Sequence, residues 1–175
     1  MDVAYIKWLV KVNMTAKEVI EQFEKTWFYN RQITMDYLDV IPEDKWNYTH
    51  HPKYAPLAKQ FRHMACVYGV YINGFRNRAV DFSMKHSHYS GSLTKSAIRA
   101  DLMSKDEELR TVLRQFDDEE VEKFRLDFFG VNMSFTEYTH ILIQHECMHI
   151  GIWSNIAAFA GFELPKSWKS DWGFN

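Results

Sequence analysis

Two histidines four positions apart, with a glutamate beside the first, are the residues of this chain best suited to chemistry. The segment QHECMHIGIW at 144–153 contains His145, Glu146 and His149 in the spacing HExxH. On a helix, residues i and i+4 share one face, so both imidazoles can bind one metal ion. In zinc peptidases the glutamate of this motif is the general base. The motif predicts a metal site and raises the question of peptidase activity.

A peptidase needs a third ligand downstream, as in HExxHxxGxxH, or a later carboxylate on another helix. Ile152 and Asn155 occupy the positions of that Gly and His, and only Glu163 and Asp171 remain as acidic residues. No strand pattern upstream is suited to hold an extended substrate. A zinc peptidase is therefore the less favoured interpretation.

His63, in FRHMACVYG at 61–69, is the best candidate for a third ligand. It lies at the edge of the apolar face of a predicted helix, and His145 and His149 fall within the apolar stripe of theirs. Buried imidazoles without partners cost free energy, whereas neutral imidazole binds zinc, nickel, copper or iron well. The alternative is core histidines bonded to other side chains. Three ligands would leave one coordination position open, as in catalytic sites.

Four long helical patterns predict an all-α four-helix bundle in which a long crossover joins helices 2 and 3. Capping-box spacings mark the starts of the first and last patterns. The helices are predicted from Thr15 to the IPED segment at 41–44, from Pro56 to about Arg76, from about Thr94 to Phe116, and from Ser134 to Gly161 and Pro165.

The connecting segments are predicted to be irregular. Residues 77–93 are polar and form a long surface connection, DDEE at 117–120 is interpreted as a solvated turn, and RLDFFGVN at 125–132 as extended or irregular chain. Nucleotide-binding loops such as GxGxxG are absent. We expect one domain over residues 1–175.

Composition narrows the function classes. The 175 residues are 46% hydrophobic and carry a net charge of −2, without the basic patch that nucleic-acid binding needs. Cys66 and Cys147 form no disulfide framework, which favours a reducing cytoplasm. The N-terminus MDVAYIKWLVKVNM lacks the features of a signal peptide, and no apolar run is long enough to span a membrane.

The motifs together resemble the DinB/YfiT-like family. The resemblance rests on His63-Met64 in the second predicted helix, on residues 145–152 in the fourth and on the GFELP segment at 161–165, and it spans roughly residues 15–168. The Arg and Gln that commonly follow the last ligand are replaced by Ile150 and Ile152. The resemblance implies a four-helix bundle with one divalent ion, usually zinc or nickel, bound by His63, His145 and His149.

The resemblance also implies a class of reaction. Family members with assigned activities are mostly thiol-dependent transferases or isomerases that use low-molecular-weight thiols, and related bundles commonly form homodimers. A metal held by three imidazoles can activate water or a thiol, so we expect a transferase or hydrolase acting on a small molecule. Glu146 is predicted to act as a base or to orient the site; a bond to a neighbouring helix is the alternative. A non-catalytic metal-binding stress-response or scaffold protein is the alternative function.

The other reactive side chains are interpreted as structural or surface residues. Cys66 and Cys147 are more typical of small buried hydrophobes than of catalytic thiols. The histidines of the HH segment at 50–51 and of the HSH segment at 86–88 are expected to lie on the surface. Aromatic residues at helical spacing are expected in the core, although they could line a pocket: Trp8, Trp27, Trp46, Tyr68 and Tyr71.

Overall fold

Four long helices and two short ones make up most of the computed structural model, which describes residues 14–173. Within that range 69% of the residues are helical, in agreement with the predicted all-α class. No helix there is both long and apolar enough to cross a lipid bilayer. The helices are α1 (Ala16–Val40), α2 (Leu57–Asn77), α3 (Lys95–Leu113), α4 (Asp118–Lys123), α5 (Phe135–Ala160) and α6 (Lys166–Trp172).

The long helices begin and end close to the predicted positions. The predicted first, second, third and fourth helices correspond to α1, α2, α3 and α5. Thr15 and Glu18 form a reciprocal capping box at the start of α1, and Ser134 and Glu137 form another at the start of α5. Gly161 ends α5 in the left-handed conformation, with φ of 75°, which a residue without Cβ adopts at little cost.

Four short elements, the helices α4 and α6 and two β-strands, lie in segments for which no regular helix or strand was predicted. The acidic segment interpreted as a turn forms α4, because Asp117 and Glu120 make a third capping box. Next, β1 (Leu126–Phe128) and β2 (Val131–Met133) pair as an antiparallel hairpin, and α6 follows Pro165. The strands have three residues each, too short to give a periodic signal. The predictions for residues 1–13, including Trp8, lie outside the described residues.

Two hydrogen bonds hold α2 against α5. Near one end of the contact, the Tyr138 hydroxyl donates to the carbonyl of Tyr71 over 2.9 Å. The ring lies against Gly74, where a Cβ would be 2.1 Å from the hydroxyl oxygen, so the approach requires glycine. At the other end, Trp153 Nε1 donates to Gln60 Oε1 over 3.0 Å. The two bonds lie on either side of the predicted histidine site.

The connection between α2 and α3 packs on α2. It contains a short 3-10 helix, Lys85–His88, whose last residue lies against Gly69. A Cβ on Gly69 would be 2.6 Å from the Cβ of His88. Lys105 Nζ of α3 donates to the His88 carbonyl over 2.8 Å, and Tyr89 is buried. The long connection is therefore fixed beside the helix that carries His63.

Candidate metal centre

The three predicted histidines converge between α2 and α5. His63 comes from α2, and His145 and His149 come from successive turns of α5. One ring nitrogen from each lies within 4.8 Å of the others, and His63 Nε2 is 3.2 Å from His145 Nε2. That spread suits three imidazoles around one ion. Within residues 14–173 no carboxylate, thiolate or further imidazole joins the group.

His149 provides the test of whether a metal ion fits. Its side chain is 7% exposed, and in the described part of the chain neither ring nitrogen has a hydrogen-bond partner. A buried polar atom left unpaired costs about 1–3 kcal/mol, so native proteins rarely tolerate one without reason. A divalent ion between the three rings would give a nitrogen of His149 its missing partner. The donor set therefore fits such an ion.

The protein holds the imidazoles in their neutral form. Burial, and then the neighbouring His149 and His63, lower the pKa of His145 to about 3. Burial and His63 lower the pKa of His149 to about 4. Burial, with Lys85 and His86, also lowers the pKa of His63. At neutral pH each ring therefore keeps a lone pair available for a metal.

Aromatic rings enclose two of the three histidines. Tyr71 meets His145 edge-on at 5.7 Å between centroids, and Trp153 lies 5.5 Å from His149. His63 is half-buried and also lines a cavity that opens on α2. His63 therefore belongs both to the centre and to the wall of that cavity.

Sequence comparison agrees with this geometry. The sequence profile of the DinB superfamily matches residues 22–152, which is most of the chain. The chain belongs to the DinB superfamily. A search of curated proteins found no match.

Two solved structures share the DinB-like fold. A DinB-like protein from Bacillus cereus is 22% identical, has a TM-score of 0.69, and covers 83% of this chain and 95% of its own. A DinB-like protein from Bacillus subtilis is 18% identical, has a TM-score of 0.62, and covers 82% and 95%. At such identities the likeness concerns the fold alone.

In this DinB-superfamily chain, Glu146 belongs to a buried ionic network. Its carboxylate is 1% exposed and accepts hydrogen bonds from Arg31 Nη1 at 2.9 Å and from the Thr34 hydroxyl, both on α1. Burial raises the pKa of Glu146, although Arg31 opposes the shift. These contacts agree with the alternative of a bond to a neighbouring helix, and the catalytic role stays a prediction.

The network extends to α3 through Arg31. Its Nε donates to Asp106 Oδ1 over 3.2 Å, and the Tyr68 hydroxyl donates to the same oxygen over 2.9 Å. The guanidinium lies 4.9 Å from the ring centroid of Trp27 and 4.7 Å from that of Tyr68. Burial works to lower the pKa of Arg31, but Glu146 and Asp106 outweigh it and the pKa is raised. Arg31 therefore remains a cation.

Sequence reasoning missed this network. Arg31 and Asp106 are distant in sequence and belong to no motif. A usable signal was nevertheless present, because Arg31 recurs at helical spacing with Trp27 and Leu38 on an otherwise apolar face. Asp106 likewise falls between Leu102 and Leu109 on the buried face of α3. A charged residue at a core position predicts a buried partner.

The two cysteines lie in different environments. Cys66 is 1% exposed and lines the cavity beside His63. Cys147 is exposed, and its Sγ is 3.6 Å from Asn30 Oδ1. Burial, followed by the charge of Glu146, raises the pKa of Cys147, which disfavours a reactive thiolate.

The other paired histidines join no metal-binding group within residues 14–173. His50 stacks against Tyr54 and Phe159, with ring centroids 4.7 and 5.5 Å away. His86 is exposed at the mouth of the cavity beside His63.

Proposed function

We propose that this chain is a metal-dependent enzyme that uses a mononuclear three-histidine centre to activate water or a thiol against a small molecule. The observation that supports this most is His149, which lies beside His63 and His145 and whose two buried ring nitrogens have no hydrogen-bond partner among the described residues. Within the described residues only three side chains contribute donors, which leaves a coordination position for a substrate. Thiol-dependent S-transfer comes first and hydrolysis second, as the family resemblance implies.

The proposed role of the chain's own residues is to bind the metal ion and to orient the imidazoles that hold it. A divalent cation, which we propose to be zinc or nickel, supplies Lewis-acid activation that brings the pKa of water or a thiol toward neutrality. Three neutral imidazoles leave the full positive charge of the cation uncompensated. Tyr71 and Trp153 pack against the rings of His145 and His149, fix their orientation and exclude water from that side.

The supporting scaffold is proposed to be the four-helix bundle formed by α1, α2, α3 and α5. The two hydrogen bonds between α2 and α5 hold His63 opposite the histidine pair. We further propose a cytoplasmic protein that acts as a homodimer, on a small molecule and without a nucleic-acid or membrane partner.

Two other functions receive less support. A structural or storage metal site would be closed by a fourth protein ligand, and none lies in the cluster within residues 14–173. In a zinc peptidase the glutamate of HExxH must be free to take a proton from water. Here the carboxylate of Glu146 is occupied by Arg31 and Thr34 in the protein interior.

The test is metal content measured by mass spectrometry on purified wild type and on His63→Ala and His149→Ala, with circular dichroism to show that both variants fold. Near-stoichiometric metal in the wild type and its loss in both variants is the expected result. The loaded and chelator-treated wild type would then be compared for thiol transfer and hydrolysis. Metal that persists in both folded variants, or no metal after reconstitution with zinc or nickel, would overturn the proposal.

A further inference from the structure

A second feature beside the histidine centre is a cavity of about 200 Å³ on the outer side of His63. Its lining consists of Lys59, Arg62, His63, Cys66 and His86. Residues 59, 62, 63 and 66 fall on one face of α2, and His86 comes from the 3-10 helix that packs on that helix. One histidine therefore belongs both to the metal centre and to the cavity wall.

The cations of this cavity have no carboxylate partners in the part of the chain that the structure describes. Among the described residues, neither Lys59 nor Arg62 forms an ion pair, and the polar contact of the Arg62 guanidinium is with His86, at 3.5 Å to Nδ1. Within residues 14–173, Lys85, next to His86, also forms no ion pair. The described residues of the lining include no acidic side chain. Several cations elsewhere pair with carboxylates, as Arg76 does with Glu108 over 2.6 Å.

Concentrated positive charge is notable in a chain whose net charge is −2. A concave site lined by one sign of charge raises the local concentration of ligands of the opposite sign. Arginine is suited to bidentate recognition of carboxylate or phosphate, and lysine adds a point charge.

We propose that this cavity is an anion subsite in which Arg62 and Lys59 bind an oxyanion group of the substrate. The inference rests on the proposed function, and it narrows the substrate class to small molecules that carry a carboxylate or phosphate beside the reacting group. Because His63 belongs to both the cavity wall and the centre, an anionic group bound in the cavity would lie beside a reacting group held at the three histidines.

The test compares two thiols that differ in charge, mercaptosuccinate and 2-mercaptoethanol, on the cobalt(II)-loaded protein. The binding of a thiolate to cobalt is monitored through the thiolate-to-cobalt charge-transfer absorption, a signal that does not depend on turnover. Mercaptosuccinate is expected to bind more tightly, and its affinity should fall more steeply with added salt than that of 2-mercaptoethanol. Arg62→Gln and Lys59→Gln should each weaken mercaptosuccinate about tenfold, as expected for loss of a charge-assisted hydrogen bond, and leave 2-mercaptoethanol unchanged.

Matched controls are Arg114→Gln and Lys25→Gln, which remove exposed cations outside the cavity and should change neither affinity. Cobalt stoichiometry is measured in every variant, because Arg62 adjoins a ligand. Equal affinities for the two thiols, or equal weakening of both by Arg62→Gln, would overturn the anion subsite while leaving the metal centre intact.

Failure of the metal centre gives a different result. If cobalt does not bind, or neither thiol produces the absorption band, the proposed function is wrong. The cavity is then decided by calorimetric titration of succinate, which carries the carboxylates without the thiol. Succinate binding that weakens in Arg62→Gln but not in Arg114→Gln would support the subsite, and no succinate binding to wild type would overturn it.

Discussion

The histidine cluster and the Arg31 network are two buried polar groups on neighbouring faces of α5, and they differ in how their polar atoms are satisfied. Glu146, Arg31 and Asp106 find their partners within the protein. His149 finds none for either ring nitrogen among the described residues. Glu146 and His149 are buried to a similar degree, at 1% and 7% exposure. Burial alone therefore does not distinguish them.

The difference separates a structural role from a ligand-binding role. In a satisfied ionic network, hydrogen bonds offset the free-energy cost of desolvation. Such a network can also fix the relative positions of α1, α3 and α5. For an unsatisfied imidazole, the cost of desolvation is not offset until a ligand binds. The comparison predicts that disturbing the network will mainly change folding stability, and that disturbing the cluster will mainly change metal binding.

The largest effect should follow from Arg31→Met. The substitution leaves the carboxylates of Glu146 and Asp106 buried without their cation, a situation that costs about 3–5 kcal/mol. The free energy of unfolding from urea titration measures the loss. Arg76→Met, which breaks the exposed pair with Glu108, is the control and should cost less than about 1 kcal/mol. Similar small losses in both variants would contradict a structural role for the network.

The comparison is sharpest when the same substitution is made three residues apart on α5. Glu146→Leu deprives Thr34 and Arg31 of an acceptor and should cost about 1–3 kcal/mol. His149→Leu removes two unpaired nitrogens, so the metal-free variant should be as stable as the metal-free wild type, or about 1 kcal/mol more stable. Urea titration of both metal-free variants measures the pair of effects.

Added zinc or nickel should then separate the two variants further. A ligand that binds only the folded state at a hundred times its Kd stabilises by about 2.7 kcal/mol. Wild type and Glu146→Leu should gain this stability, and His149→Leu should not. If His149→Leu were as damaging as Glu146→Leu without metal, His149 would be an ordinary core residue.

The sequence predicted the histidines better than the network for a physical reason. His145 and His149 are one helical turn apart, so their spacing alone places them on one face. His63 was chosen from its place at the edge of another apolar helix face, the family resemblance then supported it, and the structure brings it to the other two. No such local relation joins Arg31 to Asp106 and Glu146. Their meeting depends on how three helices pack, which a single sequence does not specify.

Local signals also set the limits of the fold prediction. The capping boxes at Thr15 and Ser134 placed the starts of α1 and α5 correctly. Met148 and Phe159 are apolar residues of α5, yet they are 56% and 67% exposed. That helix is apolar over much of its circumference, so periodicity did not identify which apolar residues face the neighbouring helices.

A pH titration of the metal-free protein tests the cluster without a substitution. The folded-state pKa of about 4 for His149 and about 3 for His145 lies below the ordinary 6.5. Below pH 6.5 the unfolded chain therefore binds more protons, and stability falls as pH falls toward 4. The loss over the first pH unit below 6.5 should be at most about 1 kcal/mol per histidine. The free energy of unfolding should depend less steeply on pH in His149→Leu than in wild type. An equally steep dependence would contradict the lowered pKa of His149.

The smallest effect is expected at Cys147, which follows Glu146 in sequence but whose hydrogen-bond partner is Asn30 of α1. Its side chain is exposed, so Cys147→Ala should change the free energy of unfolding by less than about 0.5 kcal/mol and leave the metal content unchanged. Cys66→Ala, at a fully buried position, is the contrasting variant and should cost about 1 kcal/mol. Unfolding titrations and metal analysis measure both. Metal loss in Cys147→Ala would show that the metal centre extends to a third face of α5. Cys147 is a partner of neither buried group, so its substitution could then affect the protein only through the metal.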